Sequence, residues 1–159
     1  MPTSTEQQLS SIFQSEIEET RVLLELLNEE HQLLQQPDPG ALKKLTERKQ
    51  QQIESLEKTV ARQIDFLKQQ KLPLNRQGIE TYLGSIPLDD PIHQQWQLLE
   101  QHLENGKRQN EVNGIMLAQS RHQFANALNL LLGFSRGQNT YGSSGESRST
   151  HPSKLLGSA

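Results

Sequence analysis

Histidines and adjacent carboxylates are the residues of this 159-residue chain whose types could support metal binding or acid–base catalysis; cysteine is absent. A zinc site on a helix needs ligands three or four positions apart, so that two side chains reach one ion. His31, His93, His102, His122 and His151 form no such pair. They are expected on the surface or at the edge of a helix seam. Adjacent acids such as Glu29-Glu30 and Asp89-Asp90 could do proton transfer, but only inside a pocket that sets their protonation states apart. The first pair reads as a solvated helix face and the second as a helix start. No nucleophile elbow and no phosphate-cradling glycine loop occur. The sequence therefore predicts no enzyme, no metal and no cofactor.

A different set of polar residues stands out. Trp96, Leu99, Leu103, Gly106, Asn110, Asn113, Leu117, Ser120, Phe124, Ala127 and Leu131 recur at alternating steps of three and four. That is the period of a helix seam, not of strands, so Asn105-Gly106 and Asn113-Gly114 are expected inside one long helix rather than at hairpin turns. The seam is apolar at both ends and small or amide-bearing in the middle. Gly106, Asn110, Asn113 and Gly114 can be read in two ways. A buried Asn fixes register at some cost in stability. Alternatively, glycine at about 1 kcal/mol below alanine makes the segment easy to bend or open.

The elements that must position this seam follow from start and stop signals. A first helix is expected from a Ser4 capping box, S-T-E-Q, to Gln36, where Pro37 ends it. Asp38 caps a second helix with Pro39 at its first position. Its seam is Leu42, Leu45, Lys49, Ile53, Leu56, Val60, Gln63 and Leu67. Lys49 and Gln63 are expected at the bundle edge, stems packed and heads in water. Each of these rods is roughly 50 Å long, and the short connection makes them antiparallel. Residues 72–88 form a crossing segment with a short helix near Gln77 to Leu83, Tyr82 and Leu83 covering one end of the bundle. Asp90 and Pro91 then start a third helix that runs to about Gly133, roughly 65 Å. The predicted fold is all-α: an elongated antiparallel three-helix bundle over residues 4–134, made of a hairpin (4–71), the crossing segment (72–88) and a long helix (90–133). Residues 135–159 form a Gly/Ser-rich tail, with 12 of the last 27 residues Gly or Ser, expected to be disordered.

Composition agrees. Hydrophobic residues make up 32% and aromatics 4%, with mean hydropathy −0.74; one narrow apolar stripe per helix needs no more. Sixteen basic and nineteen acidic residues are interspersed, leaving a net charge of −3 and no basic patch for nucleic acid. The first residues lack the basic and apolar regions of a signal peptide, and no run is long enough to span a bilayer. A cytoplasmic location is expected. Towards its end the third helix becomes richer in apolar residues: Phe124, Leu128, Leu131 and Leu132 lie on the seam side, and Leu130 and Phe134 widen the stripe. Such surplus apolar surface suits docking of another amphipathic segment, or packing on the crossing segment.

Three features together resemble the FlgN family of flagellar type III export chaperones: Leu-x-x-Leu-Thr-x-x-Lys from Leu42 to Lys49, Trp96 followed by Asn110 and Asn113-Gly114, and Thr140-Tyr141-Gly142 in the Ser/Gly tail. The resemblance implies a cytoplasmic chaperone that binds C-terminal helical segments of the hook–filament junction proteins FlgK and FlgL. It would keep them from assembling early and deliver them to the export gate, by binding alone, without nucleotide or metal. Carried onto this chain, the client surface would be Ile115, Leu117, Phe124, Leu128, Leu131 and Leu132. Tyr141 would dock on the export gate protein FlhA. The competing expectation is a structural coiled-coil protein that homodimerises through the same stripe.

Overall fold

The computed structural model describes residues 1–36, 38–116 and 129, and all its regular elements are helices: α1 (Ser4–Gln35), α2 (Pro39–Gln69), α3 (Arg76–Leu83) and α4 (Pro91–Met116). The first helix is capped by Thr3, one residue before the expected Ser4. Thr3 Oγ1 accepts from the Glu6 amide at 3.1 Å, and the Glu6 carboxylate accepts from the Thr3 amide at 2.7 Å. Thr-x-x-Glu wins over Ser-x-x-Gln because a charged acceptor makes the stronger return bond at a helix N-terminus. Asp38 caps α2 through Gly40 and Ala41, with Pro39 at N1, and Asp90 Oδ1 accepts from Ile92 at the start of α4.

The bundle runs up, down and up. The first helix is the shared element, with α2 packed antiparallel on one side and α4 parallel on the other. Cross-links between α1 and α4 show that parallel register: Ser10 to Gln95, Thr20 to His102, and His31 to Asn113. The apolar core gathers one stripe from each helix, including Leu9, Phe13, Leu23, Leu56, Trp96 and Leu103. Phe13 and Trp96 lie with ring centroids 5.4 Å apart.

The crossing segment closes one end. The C-terminus of α2 is a Schellman turn, in which the amides of Lys71 and Leu72 return to the carbonyls of Lys68 and Leu67, with Lys71 at φ 56°. Asn75 caps α3. Gly78 is obligatory there, because a Cβ would stand 1.9 Å from the Pro73 carbonyl oxygen. Ile79 and Leu83 are buried, and Tyr82 packs edge-on against Phe66 at 5.1 Å. This is the covering role expected of Tyr82 and Leu83.

Candidate functional site

Asn105-Gly106 and Asn113-Gly114 both lie within α4, which is helical through Met116. Trp96, Leu99, Leu103, Gly106, Asn110, Asn113 and Gly114 are its inward residues. The helical period therefore prevails over the turn preference of the dipeptide, because each seam residue gains burial against α1.

At the far end of the described bundle, Asn113 is the centre of a polar cluster that joins all three long helices. Its Nδ2 donates to the Leu27 carbonyl at 2.9 Å and to Glu30 Oε1 at 3.0 Å. Its Oδ1 accepts from Gln109 Nε2 at 2.9 Å and faces His31 Nδ1 at 3.2 Å. His31 Nε2 in turn faces Gln35 Nε2 at 3.1 Å. One ring nitrogen thus meets an amide oxygen and the other an amide nitrogen. Glu30 also accepts from Lys49 of α2 at 2.5 Å, with side chains 1% and 4% exposed.

This pair corrects two expectations. Glu30 is not part of a solvated face; only Glu29 is, and it meets Arg48 at the surface. Nor does Lys49 hold its ammonium in water. The Lys49 stem is too deep in the α1–α2 contact for its head to escape, so burial is met by a carboxylate that also takes an amide donor.

Gln63 departs from expectation in the same way. Two heptads from Lys49 along α2, it is buried and donates to Glu16 Oε2 at 3.0 Å; Glu16 stands two heptads from Glu30 along α1. The hairpin thus carries polar layers at Glu16–Gln63 and Glu30–Lys49, and the register they set places Leu23 and Leu56 between them. Burial pushes the Glu16 carboxyl well above the usual carboxylate range, with the Glu19 charge adding and Arg62 opposing.

Beside the Asn113 cluster α4 exposes three apolar side chains, next to the charged Arg108 and Glu111. Val112 and Met116 are exposed, and Ile115 is 85% exposed. Ile115 is the one predicted client-surface residue within the described part. Leu117, Phe124, Leu128, Leu131, Leu132 and Tyr141 lie outside the described residues, as does the expected helix beyond Met116. Val112 and Met116 escaped the sequence reading because they flank the seam rather than continue it. Glu30 escaped because its seam partner is on another helix. Lys49 was in view, as a charge on an apolar stripe, and that signal points to a buried partner as readily as to a wet edge.

Among the described residues, no group of three or more histidines and carboxylates could hold a metal ion, and no helix is long and apolar enough to cross a membrane. The arrangement is a three-helix end tied by a buried ion pair, with exposed apolar side chains of α4 beside it.

Residues 1–149 match the family model described as FlgN protein. A solved structure from Pseudomonas aeruginosa, assigned as a flagella synthesis protein FlgN, superposes with a TM-score of 0.69 at 25% identity. It covers 82% of this chain and 98% of its own. Comparison with curated proteins gives no significant match.

Proposed function

The chain belongs to the FlgN family of flagellar export chaperones, and from that premise we propose that it binds the C-terminal helical segments of the hook–filament junction proteins FlgK and FlgL in the cytoplasm. The client is received by Ile115, on the exposed side of α4, together with Leu117, Phe124, Leu128, Leu131 and Leu132 further along the chain. A client helix that lays its apolar stripe there is held off from assembly until Tyr141 brings the complex to FlhA. The work is binding alone, with no bond made or broken.

The observation that carries this reading is the uncovered run of Val112, Ile115 and Met116 next to a polar clamp. Apolar side chains at helical spacing on a rigid support are what an amphipathic partner helix requires. In the same reading Asn113 sets the register of α4 on α1, since its amide fits only where Leu27, Glu30 and Gln109 meet it.

The test is titration of the full chain with a peptide spanning the client's C-terminal helix. Replacing Ile115, Leu128 and Leu131 by Ser removes about 1.5–3 kcal/mol of apolar burial per residue. Binding is expected to vanish while helical content by circular dichroism stays near the parent value. Retained affinity in the triple variant overturns the surface assignment. If the pure protein sediments as a dimer through this face without client, the homodimeric coiled-coil reading replaces it.

A further inference from the structure

Glu16 is wholly buried halfway along α1. Its Oε2 accepts from Gln63 Nε2, whereas its Oε1 is buried without a hydrogen-bond partner. One turn on, Glu19 repeats the arrangement: Oε1 accepts from Thr59 Oγ1 at 2.8 Å, and Oε2 is buried without a partner. From α2, Gln63, Thr59 and the exposed cation Arg62 face this layer. From α4 comes His102, whose Nδ1 lies 3.0 Å from Thr20 Oγ1. Thr20 already donates to the Glu16 carbonyl at 2.7 Å, so it accepts from His102, and the layer runs unbroken from α2 through α1 to α4.

An ionised Glu16 here has one side-chain hydrogen bond, a like charge on the same helix, and little water to replace its lost hydration. Each of these disfavours the charged form. The neutral acid keeps the bond from Gln63 and places a single proton on the oxygen that is otherwise unpartnered.

We propose that Glu16 holds a proton at neutral pH in the folded bundle, and that its ionisation loosens the joint between α1 and α2. The stability of the bundle is then linked to proton uptake. A carboxyl that binds its proton more tightly when folded contributes its full stabilisation below the ordinary glutamate range. It loses that contribution as pH rises through the folded-state value. Glu19, raised chiefly by its own burial, adds in the same direction.

Thermal unfolding of the full chain from about pH 5.5 to about pH 8.5 tests this. The melting temperature of the parent protein is expected to fall by several degrees across the range through this group. Glu16→Gln keeps an acceptor for Gln63 and cannot ionise, so it is expected to melt higher than the parent at the alkaline end, by a margin that narrows on acidification. His102 and Arg62 are common to both proteins and cancel in that difference. A margin that stays constant with pH overturns the proposal. Should Glu16→Gln not fold, isotope-edited infrared spectra of the parent and of Glu19→Gln decide. A protonated glutamate carboxyl band at neutral pH in both, lost on the alkaline side, supports it, and its absence at neutral pH overturns it.

Discussion

Lys49 and Glu30 form a buried pair whose parts are worth very different amounts alone and together. Removing one partner strands the other's charge, so Lys49→Met is expected to cost about 3–5 kcal/mol, read as a shift in denaturant midpoint at constant slope. Replacing Lys49, Glu30 and Asn113 together by Met, Leu and Leu leaves no buried charge unpaired, and Gln109, which loses Asn113 as its acceptor, is only half-buried and can turn to water; most of that loss is expected to return. The recovered protein should then be less particular about how α4 sits, because Asn113 no longer selects among neighbouring turns of α1. Loss of dispersed, well-resolved amide resonances from α4 in the triple variant would report it. A Lys49→Met variant as stable as the parent would mean that Glu30 reaches water.

The ends of the elements carry their own energetics. Lys71 occupies the left-handed position of the Schellman turn, which a side chain adopts at roughly 1 kcal/mol and glycine adopts freely. Lys71→Gly is therefore expected to stabilise by about 0.5–1 kcal/mol, measurable as a raised melting temperature; a lower value would show that the lysine stem holds the turn. The elements were largely legible in the sequence. Pro39 and Pro91 after capping aspartates, and the three-and-four spacing through both Asn-Gly pairs, place α1, α2 and α4 to within a residue or two at their described ends. The site was less so. A seam pattern says that positions 49 and 63 face inward or lie near the edge, but not what stands opposite, and it leaves position 30 on a solvated face. Opposition depends on helix register, and register is fixed by the very polar pairs in question. Thr3 displaced Ser4 as cap for a related reason: the two candidates differ by one residue, and the choice lies in the geometry of the return bond from Glu6.

For the molecule as a whole, the first helix is the common support, so if α4 receives a client as proposed, its contacts reach the Glu30–Lys49 pair on α2 through α1 and the Asn113 cluster. Client grip and export-gate docking are assigned to separate stretches of chain. Deleting residues 135–159, which include Tyr141, is expected to leave the affinity for a client helix within about twofold in peptide titration, well under 1 kcal/mol, while abolishing recovery of FlhA with the complex. Loss of client affinity on that deletion would move the client site into the tail.

The matched spacing of the two hairpin layers has a consequence for how such chains can change length. Glu16 and Glu30 are separated by the same two heptads as Lys49 and Gln63. Deleting seven residues from α1 alone between the layers would carry Glu30 opposite Leu56, a carboxylate against a fully buried leucine. Deleting a heptad from both helices would leave each polar pair facing its partner. Insertions and deletions in this hairpin should therefore be tolerated only as paired heptads, one in each helix, so the two rods shorten or lengthen together.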